Sequence, residues 1–311
     1  MTDMTYRQLG DSGLTVSAVG LGCNAFGTRI DAETTTAVVN RAVDLGVTLF
    51  DTADVYGRGE SETLLGTALG KRRGDVVVAT KFGMDMRGAN GPDWGARGSR
   101  RYIRKAVEAS LRRLGTDWID LYQIHQPDPK TPIEETLAAL TELVAEGKIR
   151  YLGSSNFAGW QVVEAAWVAR SGGLQRFAGA QNKYSLYDRA AEAELVPAAQ
   201  SVGVGILPFY PLEYGLLTGK YRRGEAAPEG SRLADPRLRA RLDHADFDRI
   251  EALERFAADR GIGLLDLAIG GLAAQPAVAS VIAGATRPDQ VSANVRAGSW
   301  HPSAEDLATL P

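Results

Sequence analysis

The chain alternates along most of its length between short apolar runs rich in β-branched residues and longer stretches with helical periodicity. Val19–Gly22, Val47–Phe50, Val76–Ala79, Ile119–Ile124, Ile149–Leu152, Phe177–Ala180, Val204–Leu207 and Val278–Ala283 read as strands. Ala32–Leu45, Ser99–Leu114, Pro132–Glu146 and Ala190–Ser201 are amphipathic and lie between them. A strand apolar on both faces needs cover on both faces. Helices between successive strands supply it, so the sheet is expected to be parallel. Eight such units within 311 residues favour a closed sheet over an open, doubly wound one. The expected fold is α/β, a (β/α)8 TIM barrel. It is expected to span 1–311 as one domain, because no linker or low-complexity segment divides the chain.

Two features sit outside this alternation. Tyr6–Leu9 and Leu14–Ser17 flank Gly10-Asp11-Ser12-Gly13, whose residues tolerate positive φ. This predicts a β-hairpin ahead of the first strand, placed to plug the bottom of the barrel. The connections Gly83–Gly98 and Glu213–His244 are long and rich in Gly, Pro and Arg. Long loops in a compact fold usually carry function, and these two are expected at the C-terminal mouth.

Composition excludes several function classes. The net charge of −3 gives no general attraction to nucleic acid or an anionic membrane. No apolar run approaches the ~20 residues of a membrane span, and Met1–Gly10 lacks the apolar core of a secretory leader. The single cysteine, Cys23, allows no intrachain disulfide, and no Cys/His cluster has metal-ligand spacing. A cytoplasmic, metal-free protein with a small-molecule partner is expected, as a monomer or homo-oligomer.

Polar residues fall where the strands end. Asp51 follows Val47–Phe50, Lys81 follows Val76–Thr80, and His125 follows Ile119–Ile124. Ser154-Ser155-Asn156 follows Tyr151–Gly153, and Gln181-Asn182 follows Ala178–Ala180. Singly, each has an ordinary structural reading: Asp51 as a helix cap, Lys81 as a solvated lysine, His125 as a core histidine. Together they ring one mouth, where barrel enzymes keep their active sites.

The strings Asp51-Thr52-Ala53-Asp54-Val55-Tyr56-Gly57, Ala79-Thr80-Lys81 and Gln123-Ile124-His125 resemble the aldo-keto reductase signatures. So does Pro211-Leu212-x-x-Gly215-Leu216-Leu217-Thr218-Gly219-Lys220-Tyr221, and the resemblance runs from Leu21-Gly22 to Asn294. It is nearest the bacterial sugar- and aldehyde-active members, which also resemble potassium-channel β subunits. It implies reduction of an aldehyde, ketone or keto-sugar, with Tyr56 as acid/base, Lys81 and Asp51 tuning it and His125 orienting the carbonyl. A tyrosine titrates near ~10, and a neighbouring ammonium is expected to lower that value. Asp51 in turn keeps the charge on a buried Lys81.

The hydride must come from a cofactor, since no side chain carries one. No Gly-x-Gly-x-x-Gly follows the first strand, so a Rossmann site lacks its main support. The resemblance implies NADP(H), with NAD(H) possible. It assigns Ser155, Asn156 and Gln181 to the nicotinamide carboxamide and Phe209 to its ring. Leu212, Gly215, Lys220 and Arg232 would line the pyrophosphate, with Tyr210 and Pro211 beside them. Thr286 and Arg287 would take the 2′-phosphate at a helix N-terminus, and Asn294 the adenine. Gly22, Cys23 and Asn24 after the first strand and Gly284 and Gln290 after the last complete the cofactor set.

Three positions depart from the pattern. Ala283 stands for a proline. Gln290 stands for an arginine that some members place on the 2′-phosphate, which loosens the NADP preference. Tyr210 stands for a serine. For substrate, Trp94, Trp160 and Tyr187 are the aromatic candidates near the long loops. Two other readings stay open: an NAD(P)-dependent sugar dehydrogenase, and a cofactor-binding regulatory subunit like the channel β subunits.

Overall fold

A computed structural model describes residues 4–311; the first three residues of the expected domain span lie outside the described residues. Strands β1 (Tyr6–Gln8) and β2 (Thr15–Ser17) pair antiparallel, Tyr6 opposite Ser17. Eight strands then follow in one parallel sheet: β3 (Val19–Gly22), β4 (Leu49–Asp51), β5 (Val77–Phe82), β6 (Ile119–Ile124), β7 (Ile149–Ser155), β8 (Phe177–Lys183), β9 (Gly205–Phe209) and β10 (Val281–Gly284). Their spatial order is β10-β3-β4-β5-β6-β7-β8-β9. Helices α1 (Ala32–Asp44), α2 (Glu60–Leu69), α3 (Arg100–Leu114), α4 (Ile133–Ala145), α5 (Gly159–Gly172) and α6 (Leu195–Ser201) lie between the strands. A (β/α)8 barrel results, as expected.

The ring closes lightly. Between β9 and the segment leading into β10 the described residues make a single ladder bridge, Ile206–Val278, where Ile206 N donates to Ala277 O (2.7 Å) and Ala279 N to Ile206 O (3.0 Å). Strand bounds shift slightly from the expected ones. Val47 still bonds back to Ala42 at the end of α1, so β4 starts later. Ala277 has φ +63, so Val278 bridges but the ladder waits for Val281. The segment expected to be a helix from Ala190 is a 3₁₀ turn, Ala190–Glu192, before α6.

Side-chain alternation sorts the two cores. Phe50, Val78 and Tyr122 face outward into the layer between strands and helices. Leu49, Ala79 and Leu121 face the barrel interior, with Leu207 and Ile282. Leu9, Leu14 and Val16 of the hairpin join that inner cluster and close the N-terminal end. Gly205 is needed there, because a Cβ would strike the backbone of Gly10 and the side chain of Leu9.

Above this apolar plug the same period of two continues. Two residues beyond Leu49, Ala79 and Leu121, the inward positions are Asp51, Lys81 and Gln123; His125 follows at the next. Convergence of the polar groups is thus a consequence of strand geometry. The long connection after β9 is built from short turns, Glu213–Thr218, Arg232–Ala234 and Pro236–Leu238, then α7 (Arg239–Asp243). The chain continues through α8 (Phe247–Ala258), α9 (Leu264–Asp266) and a π-turn, Leu267–Gly271. After β10 come α10 (Pro288–Ala297) and α11 (Ala304–Ala308). No helix of the described residues is long and apolar enough to cross a membrane.

Candidate active site

Tyr56 stands in a turn that keeps the sheet's hydrogen bonding past the end of β4. Thr52 N donates to Ala79 O (2.8 Å) and Asp54 N to Lys81 O (3.1 Å). Gly57, Arg58 and Gly59 then all take positive φ, which reverses the chain and starts α2. Three such residues in succession explain the glycines on either side of Arg58.

Lys81 is fully buried, and all three of its ammonium protons have acceptors. Nζ donates to Asp51 Oδ2 (2.7 Å), to Thr52 O (2.9 Å) and to Tyr56 Oη (3.3 Å). Asp51 Oδ1 accepts from Gln181 Nε2 (2.7 Å) and Gln123 Nε2 (3.3 Å). Burial alone would strip the charge from Lys81, but Asp51 and Tyr56 outweigh it and hold the ammonium above the ordinary lysine range. Lys81 therefore keeps its charge.

Lys81 pulls the Tyr56 pKa down as expected, yet the net shift is upward. Burial, which deprives a phenolate of hydration, raises Tyr56 above the ordinary tyrosine range. Lys81 works against that rise and Asp51 adds to it. Desolvation is the larger effect here and exceeds the pull of the ammonium. His125 packs edge-on to Tyr56, ring centroids 5.9 Å apart. Burial first, then Lys81, push its imidazole down to about 2, so it is neutral, and Nδ1 has no partner among the described residues.

A cavity of about 770 Å³ opens over this group, within the range of small-ligand sites. Asp51, Tyr56 and His125 line it, while Lys81 stands behind them. All the residues expected to face a cofactor are in its wall: Gly22, Cys23, Asn24, Ser155, Asn156, Gln181, Phe209, Tyr210, Pro211, Leu212, Gly215, Lys220, Arg232, Gly284, Thr286, Arg287, Gln290 and Asn294. Asn156, at φ +61, donates to His125 O (2.9 Å) and so ties the fourth and fifth barrel strands at the rim. Tyr210 lies 4.5 Å from Tyr214, ring to ring, and the Arg232 guanidinium covers both.

Three expectations about substrate do not converge on the cavity. Trp94 is 63% exposed and stacks with Arg101 and Lys105 of α3. Trp160 is 60% exposed on α5. Tyr187 caps α8 instead, accepting from Asp246 N (2.8 Å). None of the three lines the cavity. Sequence reasoning missed Met84, Arg29 and Tyr214, which do. Met84 follows β5 by two residues, and that placement was the available signal.

At the last strand's end, Arg287 precedes α10 and pairs with Asp289 (3.0 Å). Gln290 Oε1 accepts from Thr286 N (2.8 Å) and Oγ1 (3.1 Å), so it braces the turn. Four cations, Arg29, Lys220, Arg232 and Arg287, line the cavity against Glu229 and the Lys81-paired Asp51. No metal-binding cluster occurs among the described residues.

The sequence profile of the Aldo/keto reductase family matches residues 18–310. Among similar proteins, an Arabidopsis thaliana protein named probable voltage-gated potassium channel subunit beta is 36% identical, covering 94% of this chain and 91% of its own. A Bacillus subtilis (strain 168) protein named uncharacterized oxidoreductase YrpG is 35% identical, with the same coverage of 94% and 91%. The versiconal hemiacetal acetate reductase of Aspergillus parasiticus is 35% identical over 88% of this chain and 86% of its own. With its barrel, its strand-end polar ring and a match over nearly its whole length, the chain belongs to the aldo/keto reductase family, an oxidoreductase family.

Proposed function

We propose that this protein reduces an aldehyde, ketone or keto-sugar to the alcohol with NADP(H), NAD(H) serving as the alternative, and that Tyr56 is the proton donor. The observation that carries the reading is the contact of Lys81 Nζ with Tyr56 Oη and Asp51 at the foot of the cavity. Residues in the wall suit a dinucleotide. Gln181 commits its Nε2 to Asp51, leaving Oε1 as an acceptor for a carboxamide. The cations of the wall suit a pyrophosphate and a further phosphate. When bound, the nicotinamide supplies the hydride.

The chain's own groups handle the proton. Tyr56 Oη gives its proton to the carbonyl oxygen as that oxygen gains charge, and Lys81 Nζ stabilises the phenolate left behind. Solvent then restores the proton. Neutral His125 offers the carbonyl oxygen a hydrogen bond without adding charge. The phenol holds its proton at neutral pH, as a donor to the carbonyl oxygen must.

Arg287 before α10 supports NADP(H). Its pairing with Asp289 and the engagement of Gln290 with Thr286 keep NAD(H) in the proposal. A second reading, a cofactor-binding regulatory subunit, is favoured by the channel-subunit name of a relative at 36% identity.

The test mixes protein with NADPH or NADH and a panel of aldehydes, ketones and sugars, following loss of reduced nicotinamide. Turnover is expected, with Tyr56→Phe lowering it at least ~1000-fold and cofactor affinity unchanged. Tight cofactor binding without turnover would move the weight to the regulatory reading.

A further inference from the structure

The buried acid Asp54 lies two residues before Tyr56 and has no part in the proton transfer above. Its carboxyl is completely enclosed; Oδ2 accepts from Asn90 Nδ2 (3.1 Å), and Oδ1 has no partner among the described residues. Asn90 belongs to the long segment 83–98 between β5 and α3. Residues 87–89 before it are exposed, yet Asn90 is buried. Its amide is engaged on both sides. Nδ2 also donates to Tyr102 Oη (3.4 Å), and Oδ1 accepts from Arg113 Nη1 (3.2 Å). Arg113 Nε pairs with Glu62 Oε2 (2.6 Å), and Glu62 Oε1 accepts from Thr80 Oγ1 (2.6 Å).

The circuit Asp54–Asn90–Arg113–Glu62–Thr80 thus begins beside Tyr56 and ends beside Lys81. It holds two carboxyls against one guanidinium. Glu62 has the guanidinium and a hydroxyl as partners. Asp54, pushed up to about 8 by burial and then by Glu62, with Arg113 opposing, keeps its proton at neutral pH. The groups facing it are Glu62 of α2, Arg113 and Tyr102 of α3, Tyr122 of β6 and Asn90. Segment 83–98 also supplies Met84 to the cavity wall. The Asp54–Asn90 bond therefore joins the turn that carries the proton donor to the segment that shapes the space beside it.

We propose that Asp54 and Asn90 are positioning residues that clip the 83–98 segment to the Tyr56 turn, and that this clip sets how large a carbonyl substrate the cavity accepts. The proposal rests on the reductase reading for its substrate. The clip itself is read independently, by hydrogen exchange of segment 83–98.

The experiment compares wild type with Asn90→Ala, Asp54→Leu and Asp54→Asn. Hydrogen exchange is measured alongside kcat and KM for a short unbranched aldehyde and a bulky aromatic one. Asn90→Ala and Asp54→Leu should speed exchange across 83–98. They should also change the bulky-to-small ratio of kcat/KM by about tenfold, mainly through KM, with cofactor affinity retained. Asp54→Asn keeps a neutral acceptor for Asn90 and should behave as wild type. Exchange that is unchanged in Asn90→Ala overturns the clip, and faster exchange with an unchanged ratio overturns its role in selection. If Asp54→Leu does not fold, Asn90→Ala decides alone. Absence of turnover in wild type refutes the reductase reading and, with it, the role in substrate size; exchange then decides the clip alone.

Discussion

Gln181 donates its side-chain amide to Asp51 across 2.7 Å, so a residue of the cavity wall directly holds the carboxylate that holds Lys81. Gln123 donates to the same oxygen at 3.3 Å but stands below the cavity. The two glutamines separate the roles. Gln181→Leu should lower kcat about 10- to 100-fold and weaken cofactor binding as well, whereas Gln123→Leu should lower kcat alone. Steady-state kinetics with direct cofactor titration distinguish them. A Gln123→Leu protein with altered cofactor affinity would contradict this division.

Lys81 and Asp51 form a buried ion pair, so removing one partner strands the other. Lys81→Met should cost about 3–5 kcal/mol of stability in denaturant unfolding. Adding Asp51→Asn should recover most of that loss without restoring turnover. Failure of the double substitution to recover stability would mean that the pair's other hydrogen bonds, and not its charges, dominate.

Arg287 is shared between the cavity and Asp289. Arg287→Ala should weaken NADPH binding about 10- to 100-fold and NADH binding little. Asp289→Ala frees the guanidinium and should tighten NADPH. Equal losses for both cofactors in Arg287→Ala would place the 2′-phosphate elsewhere.

Asp54 makes the fold sensitive to alkali. Its folded value is about 8 against an ordinary 3.8, so between those values the native chain holds a proton that the unfolded chain has lost. Stability contributed by this group is complete below about pH 4 and declines as pH rises, by up to about 1.4 kcal/mol per unit, until about pH 8. Asp54→Asn should abolish that decline. The stability difference between variant and wild type, measured from pH 5 to 9, should grow toward alkali and then level off; a constant difference would show that Asp54 is ionised throughout.

His125 has the opposite sign. Its value of about 2 against an ordinary 6.5 means that the unfolded chain binds the extra proton. Its contribution is whole above 6.5 and is lost as pH falls. The pH profile of kcat/KM should therefore lack an imidazole ionisation between about 5 and 8. An acid limb that vanishes in His125→Asn would contradict a neutral imidazole.

The barrel and most of the candidate site were legible because both follow from a period of two. Leu49 and Asp51, or Ala79 and Lys81, share a face whatever the surrounding fold, so polar residues at strand ends announce a common interior. The cofactor-facing set came through the family resemblance, and its residues do meet in one cavity. Trp94, Trp160 and Tyr187 lie outside the cavity wall, and an aromatic in a loop or on a helix has no periodicity to say which way it turns. The Asp54–Asn90–Arg113–Glu62 circuit was invisible for another reason. Its members are 36, 23 and 51 residues apart in the chain, and nothing local marks them as partners. The net direction of the Tyr56 shift was not legible, although the sign of the Lys81 effect was, because burial is a property of the folded surroundings and not of the motif.

The light closure between β9 and β10 gives the cavity a mechanical meaning. One lip of that joint carries Phe209 and Tyr210, the other Gly284 to Arg287, and both lips line the cavity. A ligand long enough to touch both would act as a rivet through the hoop at this lightly joined point. Grip on such a ligand and resistance of the ring to springing open would then be one interaction, set at the joint where the ring is lightly closed.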